Sequence, residues 1–351
     1  MAFMLYVITY SIFFISSCND VVEPEYLKKI SFLDHYEYLD DLENRKTVSD
    51  TIITYSIPTD SVLISAIGDV EEISKYKLWV SDNVLGNIYE FDLSDSRFEK
   101  IYVRGRGPNQ VISPTLLSKE SIRGDSIVYI LDTNQKSLIL SSLYGNDLNR
   151  YYIKEIPGAI RANKMFIQNE NSFHWPIYSD DHFLLANFDT LGNLKEKYIR
   201  RLIPLGKQPE NHNTIFFDYD QTGENFAYAY IGIPLIFIET SNNKVVINLL
   251  PNAELEELNV GLDILPYETN TKVNRVIRSL DIYRDRLIIG LNNEIFVVSI
   301  DEFKIMKKIK LIDQNRTPLI YHSIKVSGEH LYLINLFNST ISRVNLNDIV
   351  N

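Results

Sequence analysis

With 351 residues the chain can hold one large domain or two average ones. Its hydrophobic content of 45% and charged content of 23% are those of a globular protein, not a disordered or fibrous one. A formal net charge of −11 argues against a nucleic-acid partner, because phosphate binding needs clustered Lys and Arg, and the single cysteine, Cys18, excludes a disulfide framework within the chain.

Residues 1–17, MAFMLYVITYSIFFISS, are almost wholly apolar and end in small residues. They are short for a membrane span and read as a signal peptide. The segment Ile15-Ser16-Ser17-Cys18 resembles the bacterial lipobox, in which the cysteine is acylated and becomes the mature N-terminus. Lipidation at Cys18 would tether the protein to a bilayer without spanning it. Residues 18–27 then read as an acidic tether, and 28–351 as one domain. Acidic residues directly after the cysteine resemble a surface-export signal of Gram-negative lipoproteins. The expected address is therefore the cell envelope of a Gram-negative bacterium, as an outer-membrane lipoprotein exposed on the surface or facing the periplasm.

Residues 40–46, DDLENRK, suggest a polar turn or short helix. TIITYSI (51–57) and SVLISAI (61–67) suggest two paired strands joined at Pro58. An N-terminal strand of this kind can close a ring of β-sheets by pairing with the last one, which removes an exposed edge.

A repeat follows. LWVSDNVLGNIYEFDL carries Asp82 and then Ile88; VYILDTNQKSLILSSL carries Asp132 and then Leu138; LYLINLFNSTISRVNL carries Asn335 and then Ile341. A shorter copy, LIIGLNNEIFVVSID, surrounds Asn292 and Ile295. Each is a strand, a turn and a strand. Asp and Asn suit the first corner because their side chains bond the backbone two residues on. A lone hairpin is marginal, so the copies must stack on one another, and a period of roughly 40–50 residues is that of a propeller blade. The pattern predicts an all-β propeller of six blades, near 68–120, 121–162, 163–209, 210–252, 278–314 and 315–351. Pro234, inside the apolar run FAYAYIGIPLIFIE, suggests an edge or bulge. Residues 253–277 suggest a short helix or an excursion between blades.

After the first hairpin comes IYVRGRGPNQ, residues 101–110. Gly105-Arg106-Gly107-Pro108 reads as a tight chain reversal, since Gly permits positive φ and Pro fixes the exit. It also resembles the G-x-G-P-G-E box of six-bladed propeller lipoproteins of Gram-negative bacteria, of the TolB-like and NHL-like kind, which have no assigned activity. Asn109 and Gln110 replace that box's last Gly and Glu. The resemblance implies a six-bladed propeller on a lipid anchor and carries over no catalytic residue.

Among chemistry-bearing motifs, HExxH, the Walker lysine loop and GxSxG are absent. His174 and Trp175, followed by Asp180, Asp181 and His182, form the most site-like cluster, with Trp175 able to stack a sugar or other flat ligand and the carboxylates able to bind Ca²⁺. Arg104 and Arg106 flank the GRGP turn and could grip a carboxylate or sulfate. Asp followed by Ser or Thr and an aliphatic residue, as at Asp125-Ser126-Ile127, resembles an O-glycosylation acceptor. The function expected from these features is binding: an envelope module for a glycan or a protein partner, with no cofactor and no catalytic residue. The alternatives are a Ca²⁺-dependent hydrolase or lyase centred on the ring's channel, by fold analogy, and a structural partner of another envelope protein.

Overall fold

In the computed structural model of the chain, described for residues 35–39, 46–49, 53–56, 64–122, 125–152, 166–169, 172–177, 182–189, 192–201, 214–220, 222–249, 276–291, 294–312, 319, 321–335 and 340–350, strands form six sheets arranged as a propeller. Three short strands come first: β1 (Glu37–Leu39), β2 (Lys46–Ser49) and β3 (Ile53–Ser56). Blade 1 is β4 (Ile67–Ser74), β5 (Lys77–Asp82), β6 (Asn87–Asp92) and β7 (Phe98–Arg104), with the two-residue β8 (Gln110–Val111) on its edge. Blade 2 is β9 (Pro114–Ile122), β10 (Asp125–Asp132), β11 (Ser137–Ser142) and β12 (Asp147–Tyr152). Blade 3 is β13 (Phe166–Asn169), β14 (Ser172–Pro176), β15 (Phe183–Asp189) and β16 (Leu194–Arg200). Blade 4 is β17 (Ile215–Tyr219), β18 (Phe226–Tyr230), β19 (Leu235–Glu239) and β20 (Lys244–Asn248). Blade 5 is β21 (Ile277–Tyr283), β22 (Arg286–Leu291), β23 (Glu294–Ser299) and β24 (Lys304–Leu311). Blade 6 has β25 (Ser323–Ser327), β26 (His330–Asn335) and β27 (Thr340–Asn345), followed by the one-turn helix α1 (Leu346–Val350).

The fourth strand of blade 6 is β3, antiparallel to β27, with Ile53 opposite Arg343 and Ser56 opposite Thr340. The expected closure of the ring from the N-terminus is therefore present. The expected hairpin between 51–57 and 61–67 is not formed among the described residues. Its first half serves blade 6, and β4 of blade 1 starts only at Ile67. Ahead of β3, β1 lies parallel to β20 and β2 lies parallel to β24. The N-terminal segment thus runs as a belt past blades 4, 5 and 6. Lys46 begins β2; the turn or helix expected just before it lies outside the described residues, as do Cys18 and the stretch 253–275.

The second strands of the blades, such as β10, β18 and β22, are largely apolar without alternation because both of their faces are covered. In β10, Val128 and Ile130 pack toward blade 1, with Trp79 and Tyr102. Tyr129 and Leu131 of the same strand pack toward blade 3, with Phe173 and Trp175. Similar seams join blades 3, 4 and 5, then 5 and 6, then 6 and 1. Each fully buried Leu, Ile or Val contributes about 1.5–3 kcal/mol. The outermost strands β7, β12 and β16 are mostly exposed or half-buried.

The repeated acid does more than turn a corner. Oδ1 of Asp82 accepts from Val84 N (2.9 Å) and Leu85 N (2.8 Å), which forms the turn. Its Oδ2 accepts from Ser65 N at 2.6 Å, in the segment entering the blade. Asp132 repeats this. It takes Gln135 N at 3.1 Å in its turn, and Ile112 N (2.7 Å) and Ser113 N (3.3 Å) in the link from blade 1. Each carboxylate clamps a turn to a blade link. The corresponding turn after Asn335 and the positions around Asn292 lie outside the described residues.

Two sequence expectations are corrected. The link between blades 1 and 2 is just residues 112–113, so β9, expected in blade 1, is the inner strand of blade 2. Pro234 marks neither edge nor bulge. It sits in the turn between β18 and β19, where Ile233 N donates to Tyr230 O, and a turn residue needs no ladder hydrogen bond.

Candidate functional site

The strand directions give the ring two unlike ends. One end collects the blade-to-blade links and the turns between second and third strands. The other collects the remaining turns. Two concavities are formed by the described residues.

The first, of about 320 Å³, is the mouth of the central channel. Innermost strands supply Asp69, Thr115, Asp281 and Lys325, and Asn83 comes from the first clamped turn. Deeper in, the Lys325 ammonium lies 3.3 Å from both Asp69 and Glu71. It also donates to Leu117 O at 3.0 Å and to Leu116 O. Glu71 receives Ser327 Oγ at 2.9 Å and Lys119 N at 3.1 Å. Glu72 receives the Tyr332 hydroxyl at 2.7 Å and lies 2.8 Å from His330 Nδ1. Burial pushes the Asp69 carboxyl up to about 6 even with Lys325 beside it. These groups stitch blades 1, 2 and 6 together. They do not fit a Ca²⁺ site, because a resident ammonium already stands between the carboxylates. Among the described residues no group of three or more His, Cys, Asp or Glu side chains is placed to hold a metal.

The second concavity, of about 490 Å³, lies between blades 3 and 4, lined by the last residues of β16 and by the β17–β18 and β19–β20 turns. A ladder of rings builds its wall. Tyr198 stacks on His174 with centroids 5.5 Å apart, and His174 meets Tyr219 at 4.7 Å. Tyr219 stacks on Phe226 at 4.4 Å, and Phe226 on Tyr228 at 5.5 Å. Tyr36, from the belt, closes the far side. The Tyr228 hydroxyl lies 3.1 Å from that of Tyr36, which donates to Glu239. Lys244 neutralises Glu239 at 2.9 Å. The Tyr219 hydroxyl lies 2.9 Å from His174 Nδ1. Burial lowers His174 to about 4 and pushes the Tyr36, Tyr219 and Tyr228 hydroxyls far up, so at neutral pH the ladder is uncharged. Ile199, between Tyr198 and Arg200, has φ +52°. A β-branched residue adopts that conformation at a cost of about 1–3 kcal/mol, and such strain clusters at binding sites.

Of the described sequence candidates His174 alone lines this pocket; Asp180 and Asp181 lie outside the described residues. Trp175, its neighbour on β14, points the other way and is fully buried against Phe173. No sugar can stack on it, so the expectation of Trp175 as a stacking platform is corrected: His174 and Trp175 are buried strand residues. Arg104 and Arg106 are exposed and line neither concavity. The GRGP turn between them is a joint. Gln110 Oε1 accepts from Gly107 N at 2.9 Å, and a Cβ on Gly105 would fall 2.0 Å from that oxygen. Asn109 has φ +53°, and its Oδ1 accepts from Asp147 N at 2.8 Å in blade 2. Asn109 thus supplies a left-handed residue to this joint, and Gln110 a side-chain acceptor. Tyr36, Tyr198, Tyr219 and Glu239 were missed, because no local motif joins positions so far apart.

No known protein family matches the sequence, and no curated protein matches it. Solved structures share its fold. A Bacteroides fragilis protein named only as exported superposes with a TM-score of 0.52 at 14% identity, over 84% of this chain and 88% of that one. A streptogramin B lyase gives 0.50 at 11% identity, over 84% and 97%. A member of the duf4221 family from Bacteroides vulgatus gives 0.48 at 12% identity, over 85% and 96%. At such identities the likeness is one of fold: the chain is an all-β, six-bladed propeller.

Proposed function

We propose that this protein is a binding module of the Gram-negative cell envelope, held by lipid on Cys18, that takes a small ligand between blades 3 and 4. The observation that carries the binding reading is the ring-lined pocket, whose volume and few placed polar groups are those of a small-molecule site. Export and anchoring rest on the apolar leader and the Ile15–Cys18 motif, and the exported Bacteroides fragilis protein of the same fold agrees with them. The channel-centred Ca²⁺ hydrolase is not carried forward, because Lys325 occupies the space between the channel's carboxylates.

The test is thermal unfolding of the purified protein against a panel of sugars, sugar acids, nucleosides and flavins. It is repeated with Ser241→Trp, which fills the exposed rim of the pocket. A ligand at 100 times its Kd adds about 2.7 kcal/mol, a shift of roughly 4 °C for a chain of this size. A shift in the wild type that Ser241→Trp abolishes supports the proposal. Shifts that survive the blocking variant, or none across the panel, refute it.

A further inference from the structure

The binding proposal leaves the ligand class open, and the pocket's chemistry narrows it. The inference below rests on that proposal. The wall offers ring faces at Tyr198, Tyr219 and Tyr36, each partly accessible. Ring faces favour a ligand with a flat apolar side. The charges at the pocket come in both signs. Lys244 is matched to Glu239, and one further residue of each sign, Arg200 and Glu224, lines the pocket. A ligand of net charge would face an equal number of opposing groups, whereas an uncharged ligand with many hydroxyls finds donors and acceptors together. The Tyr36–Glu239–Lys244 group supplies both within one hydrogen-bonded cluster. His174 and Tyr219 add a neutral pair beneath. Ile199, at φ +52°, lies between Tyr198 and Arg200 in the wall.

We infer that the pocket between blades 3 and 4 binds an uncharged saccharide, with a pyranose face against Tyr198 and hydroxyls on the Glu239–Lys244 pair. Binding needs no metal. The Tyr36 wall makes the belt part of the site, so the saccharide touches the same strand segment that leads back to the tether.

Calorimetric titration of the purified protein tests this with lactose, cellobiose, maltose and mannobiose. Glucuronic acid, galacturonic acid and riboflavin serve as competing classes. At least one neutral disaccharide is expected to bind. Tyr198→Ala should weaken it five-fold or more, and Tyr198→Phe, which keeps the ring face, by less than three-fold. Glu239→Gln should weaken it without unfolding the protein, as judged by an unchanged far-ultraviolet spectrum. Preference for the acids or for riboflavin, with binding lost in Ser241→Trp, overturns the saccharide inference and leaves the pocket proposal standing. A neutral sugar that binds equally to wild type, Tyr198→Ala and Ser241→Trp binds elsewhere and overturns both. No binding by any of these compounds overturns the inference, and the wider panel above then decides the pocket.

Discussion

Replacing Asp132 by Asn is nearly isosteric and tests the clamp between turn and blade link. Four N–H donors converge on two oxygens. Ile112 N and Gln135 Nε2 reach Oδ2 at 2.7 and 2.8 Å, and Ser113 N and Gln135 N reach Oδ1 at 3.3 and 3.1 Å. An amide keeps one acceptor oxygen and turns an NH₂ toward the other two donors. Gln135 cannot reverse its own amide freely, because Nε2 also donates to Gly105 O at 3.0 Å. The least costly choice places the new NH₂ against the two longer contacts. A hydrogen bond to a charged group contributes about 1.5–3 kcal/mol, so losing two weak ones costs about 3 kcal/mol. For 351 residues that lowers Tm by about 4 °C. Urea unfolding followed by tryptophan fluorescence reads it directly, since Trp79 and Trp175 are both fully buried, in blades 1 and 3. The midpoint should fall with the slope unchanged. A loss under 1 kcal/mol would mean that water or a relaxed link satisfies the donors and that the clamp is incidental.

At the joint between blades 1 and 2, Asn109→Ala should cost about 2–3 kcal/mol and Asn109→Gly about 1 kcal/mol less, because both lose the bond to Asp147 N but only Ala resists positive φ; equal losses on urea unfolding would remove the left-handed argument. Asp69, raised toward 6, adds stability that is full below about pH 3.8 and is lost as pH rises through 6, so the advantage of wild type over Asp69→Asn should shrink between pH 4 and pH 7; an advantage that grows with pH contradicts this. His174, lowered to about 4, acts in the opposite sense: its share is present above pH 6.5 and lost as pH falls through 4. Its ring resonances in NMR should stay those of the neutral form at pH 5, and a midpoint near 6.5 would show an open, solvated ring. Labelled fatty acid fed to cells should enter the wild type and not Cys18→Ala; equal labelling of both would sink the lipid anchor.

The architecture was legible because one side chain carries two signals. Asp82 and Asp132 mark a turn by their chemistry, and their spacing marks the blade period. The Asp clamp onto the neighbouring link was not legible, since its partners Ser65 and Ile112 are backbone N–H groups that any residue offers. The first blade boundary was misplaced because only two residues separate β8 from β9, too few to register as a break. β1 and β2 are three and four residues long and have no period to read. At Trp175 the nearby acids suggested an open stacking surface, yet the neighbouring blade covers that face of the strand. The aromatic pocket draws on positions from 36 to 244, and such convergence is a property of the closed ring rather than of any segment.

The belt has a consequence for how the molecule is made. β3 meets β27 some 290 residues later, and β1 and β2 dock on strands that are synthesised long after them. The first strands to emerge from the ribosome must therefore wait for nearly the last. Blades 1 to 3 can pair strand by strand as they appear, but the ring has no final partner until blade 6 exists. Contacts at such separation form slowly, because the closure entropy must be met before they reward it. Maturation should therefore be a late, all-or-none docking of the N-terminal arm. Until it docks, Tyr36 is missing from the pocket and the proposed ligand site is unfinished, so the proposed binding would mark the completion of folding.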